Sequence, residues 1–255
     1  LHRILFQFGE FTIYSYGFMI ALALLICTIW LYIDSSRQGY NPEHILEVVV
    51  IAALSGLLGA RLLYVAQHWS YYSSRWLEIF FTRYEGLSYL GALFGGTLAV
   101  FLWCRWRKIS FLKLADLMAP YMALGYAIGR VGCFLNGCCY GKVSSVAWAL
   151  PAAMVDNQLR HPVQLYAAVG ALIIFVILKL IRPVRPFVGF TTISLFALYG
   201  VLRFITEFFR YSPTTYWGGL TLAQLFCLGM VVVTVAIIGV VLLSGAGKAK
   251  KGMPQ

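Results

Sequence analysis

Windows of about 20 predominantly apolar residues, the length an α-helix needs to cross hydrocarbon, recur seven times along the chain. They fall at roughly 12–33, 44–66, 86–104, 111–131, 164–181, 187–207 and 219–243. Between them stand the breakers: "DSSRQGYNPEH", "QHWSYYSSRW", "CRWRKIS", the long "NGCCYGKVSSVAWALPAAMVDNQLRHP", "RPVRP" and "YSPTTYWGG". This pattern predicts an all-α polytopic membrane protein of seven transmembrane helices, a single transmembrane domain over residues 1–255. The N-terminal text has no basic stretch followed by an apolar run and a small-residue cleavage site, so the first span is expected to stay in the mature protein.

Composition agrees with lipid as the solvent. Of 255 residues, 61% are hydrophobic and 11% charged, and mean hydropathy is +0.80. A soluble domain carries about 25% charged residues. The net charge of +11 reads as basic loops drawn to anionic lipid, and no nucleic-acid module is visible. Arg105, Arg107, Lys108 and Lys113 follow the third span, Lys179, Arg182 and Arg185 the fifth, and Lys248, Lys250 and Lys251 the last. With seven spans these clusters share one side, expected to be cytoplasmic, which puts the N-terminus outside and the C-terminus inside. Arg3, Arg75, Arg83, Lys142 and Arg160 on the other side soften the bias.

Orientation gives meaning to three arginines inside apolar text. Spans two, four and six all run outward, and each carries one near its outer end: Arg61 in "LGARLLYV", Arg130 in "AIGRVG", Arg203 in "LYGVLRFITEFFR". Arg within a span costs several kcal/mol and normally faces protein or an aqueous cavity. Three at one depth suggest a shared outer-leaflet cavity. Guanidinium is a planar fork suited to phosphate. Glu207, four residues after Arg203 and three before Arg210, shares their helical face, and one carboxylate cannot neutralise both. The plainer reading is interfacial arginine snorkelling, with Arg203 and Glu207 a structural pair.

Smaller signals surround these. Gly129 and Gly132 flank Arg130, and Gly137 and Gly141 let the chain turn tightly beyond it, beside Asn136. "RHPVQLY" opens the fifth span with His161, Gln164 and Tyr166. A histidine can take a proton near neutral pH, but one at a helix start more often caps or bonds a carbonyl. His2, His44 and His68 carry no assigned role. Cys27, Cys104 and Cys227 lie in helical text as small hydrophobes. Cys133, Cys138 and Cys139 do not complete a tetrahedral zinc set, and Cys138 with Cys139 would make a strained disulfide. Cys133 could pair with one of them; packing is the expected role, and no metal is expected.

These motifs together resemble the prolipoprotein diacylglyceryl transferases of bacterial inner membranes. "GRVGCFLNGCCYG" follows the family signature G-R-x-G-N-F-x-N-x-E-x-x-G at Gly129, Arg130, Gly132, Phe134, Asn136 and Gly141. "HPVQLY" is similar to H-P-x-Q-L-Y, and "YGVLRFITEFFR" to Y-G-x-x-R-x-x-x-E-F-x-R, carrying Tyr199, Arg203, Glu207 and Arg210. "YSYGFMI" matches an early W-Y-G element at Tyr16 and Gly17, and "GARLLYV" a G-G-R-x-x-Y element at Arg61 and Tyr64.

The resemblance implies transfer of the diacylglyceryl group of phosphatidylglycerol to the lipobox cysteine of prolipoproteins, making a thioether and releasing glycerol phosphate. It implies Arg130, Arg203, Glu207 and His161 as catalytic residues. It implies Tyr16, Arg61, Asn136, Gly141, Gln164, Tyr199 and Arg210 as substrate-binding residues, no cofactor, and an inner-membrane site facing the outer leaflet. Three departures stand out. "SYLGAL" puts Leu90 where many members have a histidine, Cys133 and Cys138 replace the signature's Asn and Glu, and Ala167 replaces a frequent Glu. Leu90 carries no proton, which leaves Tyr89, His161 or Glu207 to do so, or a paralogue with another lipid or acceptor. The outer segment between spans four and five is short for the family, implying a reduced peptide-gripping arm. From another class, a transporter or lipid-binding protein with the arginines as an anion site would show inverted repeats, and none is detected.

Overall fold

The computed structural model describes residues 3–9, 11–81, 86–151, 158–212 and 214–244. His2, Arg83 and the tail lysines Lys248, Lys250 and Lys251 lie outside the described residues. In chain order the elements are β1 (Ile4–Phe8), β2 (Phe11–Tyr14), α1 (Ser15–Arg37), α2 (Pro42–Gln67), the short α3 (Trp69–Tyr72) and α4 (Glu78–Phe81), and α5 (Tyr89–Arg107). There follow α6 (Phe111–Leu135), β3 (Leu150–Pro151), β4 (Leu159–Arg160), α7 (Val163–Ile181), α8 (Phe190–Phe209) and α9 (Leu222–Leu243).

Each of the seven expected windows corresponds to one long helix. Six of these, all but α6, are long and apolar enough to cross a membrane. The chain is a multi-pass membrane protein. Helix α6 has 25 residues, but Lys113 and Asp116 occupy its first turns, Pro120 its interior and Arg130 its end. Large apolar side chains point outward over much of the surface, Phe94, Leu180 and Phe226 among them. In water such coverage would be an aggregation liability; against lipid tails it is solvation.

The first span starts later than the expected 12. Ile4–Phe8 and Phe11–Tyr14 pair antiparallel, and Gly9 after the first strand is left-handed with φ 57°. Only at Ser15, whose N–H donates to the Arg3 carbonyl at 2.9 Å, does the helix begin.

Two compact units divide the chain: residues 1–30 with 115–255, and residues 31–114. In the second, α2 packs on α5 through small residues. A Cβ on Gly59 would meet the Gly91 carbonyl and lie 3.0 Å from the Gly95 Cα, so the backbones themselves are in contact. In the first unit, Ala119 and Ala123 of α6, Ile174 and Leu178 of α7, and Leu195 of α8 form a buried core cluster. Its lower end is fixed by Asp116, which is fully buried. The Asp116 carboxylate accepts from Gly189 N–H at 2.7 Å, Thr192 N–H at 2.9 Å and the Thr192 hydroxyl at 2.9 Å, with Arg185 at 3.8 Å. A carboxylate there satisfies otherwise unpaired donors at the start of α8 and opposes the helix dipole.

Candidate active site

At the opposite end of α6 and α8 the side chains anticipated from sequence come together within the first unit. Arg203 forms an ion pair with Glu207 one turn on, and Arg210 approaches the same carboxylate oxygen at 3.7 Å. Glu207 is 5% exposed. Its other oxygen accepts from the Thr221 hydroxyl at 3.4 Å, while the Thr221 oxygen accepts from Gln224 N–H at 3.2 Å and Gln224 Oε1 accepts from Thr221 N–H at 2.9 Å. The N-terminal capping box of α9 thereby holds Glu207 in place.

Arg130 lies over the Tyr126 ring at 4.7 Å, and Tyr126 meets Tyr199 edge to face at 5.3 Å. Tyr199 is within electrostatic reach of both Arg203 and Arg130. Among the described residues, Glu207 is one carboxylate against Arg130, Arg203 and Arg210, and the cluster keeps positive charge. Tyr126 escaped the sequence reading; its signal was the four-residue spacing to Arg130, which places both on one helical face.

A second group forms around the chain after α6. That helix ends in a left-handed cap: Gly137 has φ 75°, its N–H donates to the Phe134 carbonyl at 3.0 Å, and Cys138 N–H donates to the Cys133 carbonyl at 3.1 Å. Asn136 sits at the turn, its N–H bonded to the Gly132 carbonyl at 2.9 Å. Cys139 is also left-handed, with φ 60°. The sulfurs of Cys133, Cys138 and Cys139 all lie within 4.8 Å of one another. Hydrogen bonds from Cys133 and Cys138, then the fields of Arg210 and Arg130, hold the Cys139 thiol below the usual thiol range. Gln164, buried at the start of α7, donates to the Cys138 carbonyl at 2.6 Å.

Gly141 is closed in by two segments. It bridges to Arg210, and a Cβ there would meet the His161 carbonyl and come to 2.8 Å from the Phe209 carbonyl. Beside it Arg160, 7% exposed, donates to the Gly141 carbonyl at 3.2 Å and lies over Tyr140 and Tyr211 at 5.0 and 5.6 Å. The sequence reading passed over this stacked arginine, because one arginine in a loop carries no periodic signal. Trp148 Nε1 donates to the Tyr166 hydroxyl at 2.6 Å, and that hydroxyl stands 3.1 Å from His161 Nδ1. An indole N–H only donates, so the phenol oxygen accepts from it, and that hydroxyl can pair with either tautomer of His161. Phe134, Gly137, Tyr140, Arg160, His161 and Gln164 line a small recess of about 20 Å³.

A family profile described as prolipoprotein diacylglyceryl transferase matches residues 3–240. The chain belongs to that family. It is 33% identical over 228 residues to the phosphatidylglycerol–prolipoprotein diacylglyceryl transferase of Clostridioides difficile, covering 89% of this chain and 90% of that protein. To the protein of the same name from Clostridium tetani it is 32% identical, covering 93% and 96%, and to that of Wolbachia pipientis 31%, covering 96% and 95%. Against the prolipoprotein diacylglyceryl transferase pattern, Leu90 is 52% exposed at the start of α5. Arg61 belongs to the second unit, where its guanidinium donates to the carbonyls of Glu78 at 2.7 Å, Ile79 at 2.9 Å and Gly86 at 3.2 Å. Tyr16 is exposed and borders Gly132, its Cδ2 lying 3.5 Å from where a Cβ on that glycine would stand.

Proposed function

We propose that this chain transfers the diacylglyceryl group of phosphatidylglycerol to the thiol of a prolipoprotein lipobox cysteine, releasing glycerol phosphate. The observation that carries the reading is that Arg130 and Arg203 both act on Tyr199, with the buried Glu207 paired to Arg203, in a chain matched over nearly its whole length by the family. One Arg203 nitrogen is engaged by Glu207, and the planar fork has further donors for a phosphate oxygen. Arg130 and Arg203 then stabilise the charge that develops on phosphate as the carbon–oxygen bond breaks. Glu207 orients both Arg203 and Arg210. Tyr199, Asn136 and Arg210 bind glycerol or phosphate oxygens, Gln164 lines the adjoining recess, Gly141 admits the close approach of the His161 and Phe209 backbones, and Tyr16 borders the site. His161 is the remaining candidate for the base that takes the thiol proton. Arg61 is a further candidate for substrate binding.

The membrane setting belongs to the same proposal: seven spans with the N-terminus outside, the C-terminus cytoplasmic, and the site at the outer leaflet of the bacterial inner membrane. Both substrates are lipid-embedded, so the site exchanges them within the bilayer. The test is incubation of the purified protein with phosphatidylglycerol vesicles and a lipobox peptide, followed by mass spectrometry. A diacylglyceryl-peptide supports the reading. No product, while a family member is active in parallel, overturns it. Leu90 favours one second reading, a transferase of the same chemistry with another acceptor, which would modify other thiol peptides and leave the lipobox peptide untouched.

A further inference from the structure

We infer that Cys133, Cys138 and Cys139 form a three-thiolate site for a thiophilic divalent cation of the zinc class, with the fourth position open to an incoming thiol. The cap at the end of α6 builds the cluster. Its two bonds, from Gly137 to the Phe134 carbonyl and from Cys138 to the Cys133 carbonyl, bring residue 138 back over residue 133, a contact that in such caps is usually hydrophobic. Here it joins two thiols. The left-handed backbone of Cys139 turns the third sulfur toward them, and the Gln164 bond to the Cys138 carbonyl fixes the turn.

The spacing suits a metal. Zinc–sulfur bonds of about 2.3 Å set tetrahedral sulfurs about 3.8 Å apart, and these three lie within 4.8 Å of one another. Closing on a cation asks for about 1 Å of side-chain movement at most. A disulfide suits the cluster less well, because whichever pair closes leaves an odd thiol. Three thiolates on a dication carry one negative charge, and Arg130 and Arg210 are the cationic neighbours acting on Cys139. Soft thiolate sets select zinc or copper(I) over magnesium and calcium. Three protein ligands with a vacant fourth position are the arrangement of reactive rather than structural zinc sites.

That vacancy answers a question the chain otherwise leaves open. Leu90 takes no proton. A thiol that replaces water on the cation forms the fourth metal–sulfur bond, and its proton leaves with the displaced water. The bound sulfur then forms its bond to the diacylglyceryl carbon as the carbon–oxygen bond to phosphate breaks, and glycerol phosphate departs with the electron pair. No oxidant or reductant is involved. This second part rests on the proposed transferase reading; the metal site does not.

The test uses full-length protein, reduced, stripped by chelator and held in detergent with phosphatidylglycerol. Cobalt(II) titration should give a thiolate-to-cobalt absorption and intense tetrahedral d–d bands that saturate at a single cobalt per chain and bleach with zinc. Cys133→Ser, Cys138→Ser and Cys139→Ser should each weaken binding by about tenfold or more, and Cys104→Ser should not. A lipobox peptide should shift the d–d bands, and its Cys→Ser version should not. The site is overturned if no thiolate–cobalt band appears, if it survives the three variants, or if mass spectrometry finds a disulfide that persists in the reduced protein. Should a variant fail to fold, zinc protection of the wild-type thiols from maleimide replaces it, and unprotected thiols overturn the site. Undiminished transfer by stripped protein overturns the thiol-capture role. Absence of transfer in every form condemns the transferase reading and leaves the cobalt result to stand by itself.

Discussion

Replacing Arg203 by lysine keeps the charge and removes the fork, which isolates the geometric part of the proposed chemistry. Arg203 is tied to Glu207 through one terminal nitrogen, and its side chain is 14% exposed. Guanidinium carries its five donors on three nitrogens in a plane, so Nε and the second terminal nitrogen can face an anion while the first holds the carboxylate. An ammonium has one nitrogen. Beside a carboxylate that is 4% exposed it will be captured as an ion pair, and its remaining N–H groups, all on that one nitrogen, cannot make the planar two-point contact with phosphate. Loss of one preorganised donor to a developing oxyanion costs about 2.7–4 kcal/mol, a factor of about 10²–10³ in kcat. Arg203→Lys should therefore lose about that factor in kcat with a smaller change in KM, measured by mass-spectrometric transfer assay in phosphatidylglycerol vesicles. Thermal melting should move little, because the Glu207 partner is retained. Glu207→Gln releases the captured ammonium, and the double variant should recover part of the loss, a coupling of about 0.5–3 kcal/mol. Activity of Arg203→Lys within about threefold of wild type, a difference of under 1 kcal/mol, would refute the argument, since charge alone would then suffice.

Three further outcomes follow from the geometry. Asp116→Ala strips the α8 N-terminus of its carboxylate and strands Arg185, so a loss of about 3–5 kcal/mol is expected on melting, with Asp116→Asn losing less. Gly91→Leu drives a side chain into the Gly59 carbonyl and should cost about 1–3 kcal/mol by the same measurement, whereas Gly17→Ala, with nothing within 4 Å, should be near neutral. Tyr166→Phe removes the hydroxyl between Trp148 and His161, leaving the indole N–H and the imidazole Nδ1 without that partner, so about 1 kcal/mol should be lost on melting.

Apolar runs in the sequence located all seven long helices, because a membrane span is selected by one dominant quantity, the transfer of some 20 side chains into hydrocarbon. The N-terminal hairpin was missed for the complementary reason. Its strands are short, and "FTIY" merges with the apolar run of α1, so the hydropathy window absorbs it. Polar groups inside the spans were legible one helix at a time. Arg203, Glu207 and Arg210 declared themselves by spacings of four and three, and the structure joins them.

Contacts between helices were legible only where chemistry left few choices, as with the excess of guanidinium over carboxylate. Thr221 bonding Glu207 across 14 residues, or Trp148 feeding Tyr166 across 18, depends on how loops return the chain, and no local pattern encodes that return. The three thiols fall between these cases. Their spacing alone pointed to packing, because four intervening residues can hold sulfurs apart or together. What brings the sulfurs together is Gly137, whose positive φ folds the chain back over Cys133. The same glycine therefore ends the helix and gathers the sulfurs, and a residue such as valine there, barred from that conformation, should scatter both.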